Sequence, residues 1–327
     1  MKRCPDCCRI YDHRAAVCQV DGTTLDDLNA DPLVGQTISK RYRVVRKLGG
    51  GSLGPVYLAE ELATGNNVAV KFLLKELHWD AELVKQCWWD ARFATASNPS
   101  SIVRVYEVDR TDEGRVFIVM ECLEGESLAE LLRLEGVLEL GPALRLASQI
   151  ANSLAAAFKA GVTHRNLKPH DIMIVGPDDR IKLTGFGVAR LWETASGVAQ
   201  TGLIAPEYTA PEQLKGDNVA DRADIYTLGA VLYAMLTGSA PSTDARHGAE
   251  EAGDHRAAPA PLRRMRPEIP AALEQFVMRA IEPRPEDRQS GMEQCLETLR
   301  NLTKSVVAGT ATDVRSVIAW SHSLLSP

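Results

Sequence analysis

Two groups of residues near the start of a Val-rich region have the types and spacing that could bind phosphate. The first is the glycine-rich run Gly49-Gly50-Gly51-Ser52-Leu53-Gly54, which precedes an apolar segment at 56–60. The second is Lys71, which ends the apolar run Val68-Ala69-Val70. Glycines let backbone N–H groups approach a phosphate, and a nearby lysine adds positive charge. A strand after the glycines argues against dinucleotide binding, which leaves a phosphate-covering hairpin or, as the alternative, a plain hairpin tip.

Further along the chain stand three motifs in a fixed order, His164-Arg165-Asn166-Leu167-Lys168-Pro169-His170-Asp171, Gly185-Phe186-Gly187 and Ala210-Pro211-Glu212. With the glycine run and Lys71 they follow the order of the protein-kinase signatures. The chain therefore resembles the bacterial serine/threonine protein-kinase family over residues 41–302. The resemblance implies an α+β, bilobal protein-kinase-like fold, with a small antiparallel β lobe carrying one helix (41–122) and a larger α-helical lobe (123–302).

The resemblance also implies a set of nucleotide-binding positions and two structural contacts. Glu212 and Arg288 are expected to form a buried ion pair, and Asp224 is expected to cap the backbone of the catalytic loop. ATP binding stays open, because Trp88 and Trp89 supply bulk that could instead fill the cleft. The positions implied for nucleotide binding are Gly49, Gly51, Gly54, Val56, Ala69, Lys71, Asp90, Glu121, Leu123 and Asp171.

Several positions depart from the family pattern. Asn166 stands where the family has the aspartate that accepts the substrate proton, and an amide is not a useful base at neutral pH. Gly185 replaces the metal-binding aspartate, Asp171 replaces an asparagine, and Lys168 is retained. No residue is therefore assigned to catalysis. The prediction is a pseudokinase that acts as a regulator or scaffold and binds ATP weakly if at all; the alternative is a low-activity serine/threonine protein kinase.

Cysteines are concentrated at the start of the chain, where four of the seven lie within the first eighteen residues. In a reducing compartment such clusters indicate metal ligands rather than disulfides. The segment resembles a zinc ribbon, since Cys-x₂-Cys forms a turn whose two thiolates reach one ion. A structural zinc module at 1–28 is predicted, and a redox-labile tail is the alternative. The predicted ligands are Cys4, Cys7, Cys18 and Asp21, with His13 or Cys8 as other candidates for the fourth position.

Hydrophobic periodicity predicts the elements that carry these motifs. Val-, Ile- and Tyr-rich runs between Tyr42 and Cys122 predict strands, with one helix at about Asp80–Ala96. Ile225–Leu236 is apolar nearly all round and predicts a fully buried helix, while Ser290 with Glu293 predicts a capping box. Residues 29–40 are expected to be a linker and 303–327 a C-terminal tail.

Composition excludes several classes of protein. With 45% hydrophobic residues, 24% charged residues and a net charge of −6, the chain is predicted to be folded and soluble, and to bind neither nucleic acid nor membrane. Its longest apolar stretch, Leu228–Leu236, is far shorter than the ~18 residues of a membrane span. No apolar segment follows the basic N-terminus, so a secretory signal is not expected. The predicted location is the cytoplasm, and the predicted partner is a protein of unknown identity.

Overall fold

The computed structural model describes residues 2–3, 9–12, 14–20, 22–23, 26–27, 31–51, 54–74, 81–188, 205–215, 221–241 and 259–306. The chain divides into two compact units. The first comprises Met1–Lys75 with Asp109–Cys122, and the second comprises Glu76–Val108 with Leu123–Pro327. Within the described ranges, no helix is long and apolar enough to cross a membrane.

A small three-stranded sheet lies at the N-terminus. Strand β1 (Lys2–Arg3) is central and pairs in antiparallel fashion with β2 (Ile10–Tyr11) and β3 (Asp26–Asp27). The buried centre that the structure describes here is Cys18, 2% exposed, with Tyr11 and Ala15 packed against it. Among the described residues of this segment, no other side chain belongs to that buried centre.

A six-stranded sheet has the order β4-β5-β6-β7-β9-β8, and its neighbouring strands are antiparallel from β4 to β9. The two strands rich in β-branched residues, β7 and β9, are almost wholly buried, which confirms the strand predictions there. Aromatic side chains form much of the core. The rings of Tyr57 and Phe72 pack edge-on, with 5.7 Å between their centroids. The strands are β4 (Thr37–Ile38), β5 (Tyr42–Gly51), β6 (Gly54–Glu61), β7 (Asn67–Phe72), β8 (Val105–Arg110) and β9 (Val116–Glu121).

The expected linker at 29–40 differs in the structure, because its second half belongs to this sheet. Strand β4 pairs with β5, and Leu33 packs against the aromatic core. The Gly35 amide donates to the Val44 carbonyl at 2.9 Å, and the Val44 amide donates to the Gln36 carbonyl at 2.8 Å. A polar composition predicted a connector, but backbone hydrogen bonding does not depend on side-chain polarity.

Helices dominate the second unit. The hairpin strands β11 (Ile172–Val175) and β12 (Arg180–Leu183), with β10 (Gly125–Ser127) beside β11, form its small sheet. Its helices are α1 (Ala81–Ser97), α2 (Leu128–Glu135), α3 (Leu140–Lys159), α4 (Pro211–Lys215), α5 (Asp221–Thr237), α6 (Leu262–Met265), α7 (Ala271–Ala280) and α8 (residues 292–306).

Two helices show how the core of this unit is built. Helix α5 is buried from Ala223 to Leu236, which confirms the prediction of a fully buried helix. Helix α1 was expected to belong to the small lobe, but it falls within the second unit, where it packs against α3. Its buried positions include Cys87, Ala91 and Ala94, which recur at three and four residues and form one apolar stripe.

Candidate active site

The described glycines of the glycine-rich run lie at the end of β5 and at the start of β6. Gly49 pairs with Val56, and Gly51 pairs with Gly54, so the predicted positions of this motif lie on one hairpin. Gly54 has φ +127°, and a Cβ added there would lie 2.0 Å from the carbonyl oxygen of Phe72. Only glycine permits this approach of the hairpin to β7.

Strand β7 places Lys71 beside the hairpin. Lys71 pairs with Val56 on one side and with Ile118 on the other, while Ala69 pairs with Leu58 and Met120. Because side chains alternate along a strand, Ala69 and Lys71 share a face of the sheet. The structure thus places Val56, Ala69, Lys71 and the described glycines on paired strands, and their role in nucleotide binding stays a prediction.

Three more of the implied nucleotide positions lie at the end of β9, just after it and on α1. Glu121 ends β9, where it pairs with Val68, and Leu123 begins the next part of the second unit. Asp90 is half-buried on α1, also in the second unit. Its implied pairing with Lys71, in the first unit, remains a prediction.

Asp224 holds the start of the catalytic loop. Its carboxylate, at the N-terminal end of α5, accepts the backbone N–H groups of His164 and Arg165, each at 2.8 Å. Burial raises the pKa of Asp224, and these two N–H donors oppose the rise. Arg165 adopts φ +67°, an unfavourable conformation that these hydrogen bonds and a bond from Gln213 to its carbonyl maintain. The implied capping role of Asp224 is present in the structure.

Lys168 and Asp171 form a sheltered ion pair in the same loop. Lys168 Nζ lies 3.7 Å from Asp171 Oδ2, and the two side chains are 10% and 11% exposed. Asp171 ends a single 3₁₀ turn, Pro169–Asp171, and its carbonyl accepts the backbone N–H of Thr184 at 2.8 Å. The backbone of Asp171 is therefore held just beyond the end of β12, while Asn166 lies half-buried two residues before Lys168.

Gly185 leaves a space that faces Asp171. It has φ +92°, and a Cβ added there would lie 3.5 Å from both Asp171 Oδ1 and His164 Cε1, which is ordinary contact distance. His164 Nε2 lies 2.8 Å from the carbonyl oxygen of Thr184, and its ring centre is 4.5 Å from that of Phe186. The Asp171 carboxylate consequently borders the position that the missing side chain would occupy.

Gly187 shows a packing requirement that the motif alone does not reveal. A Cβ at this residue, which has φ +80°, would lie 2.2 Å from the carbonyl oxygen of Cys87 on α1. The second glycine of the Gly-Phe-Gly motif therefore allows close packing against α1. A sequence gives no signal for such a long-range backbone contact.

Glu212 and Arg288 form the expected buried pair. Arg288 is 1% exposed, and its Nη1 and Nη2 donate to the two carboxylate oxygens of Glu212 at 2.6 and 2.8 Å. The same guanidinium donates to the carbonyl oxygens of Arg222 and Glu282, each at 2.8 Å. This network ties the Ala-Pro-Glu motif to the segment that precedes α8.

The predicted zinc ligands are only partly within the described residues. Cys18 is buried, its Sγ lies 3.0 Å from the Tyr11 hydroxyl, and the Val20 amide donates to it at 3.4 Å. In the ranges that the structure describes, no three potential ligands are grouped around a metal position. The remaining predicted ligands lie outside the described residues: Cys4, Cys7, Asp21, His13 and Cys8.

The chain is similar to known proteins of one family. A family model described as Protein kinase domain matches residues 42–299. The serine/threonine-protein kinase Pkn1 of Myxococcus xanthus is 36% identical over 267 residues, covering 80% of this chain and 38% of that protein. The serine/threonine-protein kinase PrkC of Bacillus subtilis is 34% identical over 263 residues, covering 80% of this chain and 40% of that protein. This chain thus spans about two fifths of the length of these curated relatives.

A solved structure supports the fold. The crystal structure of the Mycobacterium tuberculosis PknI kinase domain has a TM-score of 0.64 at 26% sequence identity, covering 82% of this chain and 98% of that chain. The predicted kinase-like fold, with an antiparallel sheet and a helical lobe, is confirmed.

The main functional prediction is corrected by the same comparisons. A pseudokinase was predicted, but relatives at 33–36% identity are named serine/threonine-protein kinases, which favours the alternative of a kinase. The error arose because Asn166 and Gly185 were each interpreted as the loss of a catalytic group. The sequence does not show that the Asp171 carboxylate borders the space at Gly185. With the family match over residues 42–299, the chain belongs to the protein kinase domain family.

Proposed function

We propose that the chain is a serine/threonine protein kinase that transfers the γ-phosphate of ATP to a hydroxyl group of a protein substrate. The observation that carries the proposal is the Asp171 carboxylate, which pairs with Lys168 and borders the space beside Gly185. A carboxylate at this point supplies the negative charge that Gly185 lacks. The partners of this kinase are then proteins that present serine or threonine.

Asp171 has the ligand chemistry that a kinase metal requires. Mg²⁺ prefers oxygen ligands, keeps several waters and is often bound by one or two carboxylates together with substrate phosphates. Asp171 would hold the ion, which would neutralise charge on the phosphates during transfer. The two oxygens of Asp171 can divide their roles, because Oδ2 faces Lys168 and Oδ1 faces the space at Gly185.

The remaining residues bind and orient the reactants. Lys71 and the glycine hairpin bind the phosphates of ATP, and Lys168 balances charge near the transferred group. The substrate oxygen forms the new bond to the γ-phosphorus as the bond to the ADP oxygen breaks, and the hydroxyl proton leaves to a phosphate oxygen or to water. Asn166 accepts a hydrogen bond from the substrate hydroxyl through its Oδ1 and orients it. In a loose transition state the bond to the substrate oxygen is only weakly formed, so transfer proceeds without a base, although more slowly than with one.

Removing Lys71 or Asp171 is expected to lower this activity strongly. Lys71→Ala and Asp171→Ala should each lower the rate of phosphate incorporation from ATP by about 10²-fold, since positioning and charge neutralisation carry the reaction. Incorporation of labelled γ-phosphate into the chain itself and into a mixed-protein acceptor measures the rate.

Matched controls change the same residue types at exposed positions. Lys85, on the surface of α1 with a side chain 70% exposed, and Asp178, exposed after β11, should tolerate alanine without loss of rate. Incorporation by the unmodified chain that is no greater than that of Lys71→Ala would contradict the proposed function.

A structural zinc ion in the N-terminal segment is a separate part of the proposal. Cys18 sits in a tight turn, where Gly22 has φ +76° and its amide donates to the Cys18 carbonyl at 2.9 Å. The Val20 amide that points at Sγ stabilises a thiolate, the form that binds metal. Because a segment this short buries little apolar surface, a metal ion bound by Cys18, Cys4 and Cys7 would supply stability.

Metal analysis of the purified chain tests this part. About one zinc per chain is expected, and Cys4→Ser or Cys18→Ser should lower the content to near zero, because a structural site needs its full set of ligands. Cys122→Ser is the control, since Cys122 is the last residue of the first unit and is not among the predicted ligands. Equally low zinc in the unmodified chain and in all variants would rule the site out.

A further inference from the structure

Asp31 lies eleven residues before the family match begins at residue 42, yet it contacts the hairpin that carries the glycine motif. Its Oδ2 accepts a hydrogen bond from the Tyr57 hydroxyl at 2.8 Å and lies 3.9 Å from Lys47 Nζ. Its Oδ1 accepts the backbone N–H of Leu33 at 3.1 Å, which fixes the carboxylate relative to its own backbone. The Asp31 side chain is 20% exposed and Tyr57 is 2% exposed, so their hydrogen bond is sheltered from water, whereas Lys47 is 52% exposed.

The two partners of Asp31 form the base of the glycine hairpin. Lys47 on β5 and Tyr57 on β6 are directly opposite each other. The register then shifts between Lys47 and Gly49, and the glycine pairs begin beyond this irregularity. Asp31 therefore joins both strands at the last regular pair before the phosphate-binding tip.

Such a connection is needed because the tip has little intrinsic order. Gly49–Gly51 carry no Cβ, so ordering their backbone costs more conformational entropy than ordering other residues. A bulge disrupts the ladder and bends its strand, which weakens the link between the tip and the sheet. The Tyr57 ring is anchored in the core, 2% exposed and edge-on to Phe72, so its hydroxyl offers Asp31 a rigid attachment.

The electrostatic setting favours the same bond. Burial first, and then the neighbouring Asp31 carboxylate, raise the pKa of Tyr57 to about 12. The hydroxyl thus keeps its proton and remains a donor throughout the physiological range of pH. Leu33, two residues after Asp31, packs against the core of the sheet and holds the segment that carries Asp31.

We propose that Asp31 is a positioning residue that holds the base of the glycine hairpin and thereby sets the affinity for ATP. The proposal rests on the proposed function, since the hairpin is taken to bind the phosphates of ATP. It also makes the segment before the kinase domain a determinant of nucleotide binding. Any displacement of that segment would release the hairpin base.

Substitutions at both ends of the Tyr57–Asp31 bond test the proposal in the full chain. Asp31→Ala and Tyr57→Phe should each weaken ATP binding about five-fold or more, as measured by calorimetric titration in the presence of Mg²⁺. The double variant should be no weaker than the weaker single variant, because both remove the same bond. Asp31→Asn keeps an acceptor oxygen and should bind ATP nearly as well as the unmodified chain.

A second measurement does not require ATP. Hydrogen exchange at the amides of Gly49, Gly51 and Val56 should be about five-fold faster in Asp31→Ala, because local opening of the hairpin becomes easier. Asp112→Ala, at an exposed turn of the same unit, is the control and should change neither exchange nor affinity.

The outcomes separate the two proposals. Unchanged exchange and unchanged ATP affinity in Asp31→Ala, even with a lower melting temperature, would overturn the positioning role and leave Asp31 as a stabilising contact only. Faster exchange in a chain that binds no ATP would support the hairpin contact and overturn the proposed function.

Discussion

Replacing Arg288 by alanine is expected to destabilise the chain by about 3–5 kcal/mol, as is usual when one partner of a buried ion pair is removed. Its guanidinium is 1% exposed and donates to both oxygens of Glu212, whose side chain is 11% exposed. The substitution leaves the Glu212 carboxylate with little compensation. It also leaves the carbonyl oxygens of Arg222 and Glu282 without this donor. Chemical denaturation followed by circular dichroism measures the loss.

An exposed ion pair provides the control. Arg145 lies 3.6 Å from Asp179, with side chains 53% and 55% exposed, and Arg145→Ala should cost no more than about 1 kcal/mol. Arg288→Lys should recover only part of the loss, because an ammonium group keeps the positive charge but cannot reproduce the two parallel hydrogen bonds to Glu212. A loss below about 1 kcal/mol for Arg288→Ala would show that the pair does not stabilise the fold.

Local patterns predicted the elements better than they predicted how the elements group. The β-branched residues of β7 predicted a strand and the apolar surface of α5 predicted a buried helix. Both predictions were correct, because each depends on residues close together in the chain. The placement of α1 depends on its contacts with α3, which lies some fifty residues further along the chain. The capping box illustrates the same limit: the pattern at Ser290 predicted Glu293 as partner, but the Ser290 amide donates to Gln294 and Glu293 pairs with Lys159.

The candidate active-site residues could be predicted from the sequence because each motif is contiguous. The interactions between these residues could not be predicted from the sequence. Spacing identified Lys71, Asp171 and Gly185 as candidate positions. It could not show that the space at Gly185 faces the Asp171 carboxylate, since that depends on how β12 and the loop meet. Asp31 could not be predicted as a contact of the hairpin for a related reason. A single aspartate in a polar segment has no pattern, and only the fold brings it to Tyr57.

Asn166→Asp is expected to raise the phosphoryl-transfer rate by about 10²-fold or more. A positioned general base contributes roughly 10²–10⁴-fold, and an aspartate can take the hydroxyl proton that Asn166 can only orient. The backbone on the N-terminal side of this position is already held by Asp224, so the exchange of an amide for a carboxylate needs little rearrangement. Initial rates at saturating ATP measure the effect, and Asn152→Asp, at an exposed position of α3, is the matched control.

A second substitution in the same loop shows which carboxylate holds the metal. Asn166→Asp combined with Asp171→Asn has the arrangement of base and amide found in the family, but Gly185 still lacks a carboxylate. Its rate should therefore fall to that of the unmodified chain or below. Adding Gly185→Asp should restore the gain, because a Cβ there lies at ordinary contact distance from residue 171. The φ of +92° costs some backbone strain, which aspartate tolerates better than most residues. If the first combination is as fast as Asn166→Asp alone, Asp171 does not bind the metal, and the carboxylate that does must lie elsewhere in the chain.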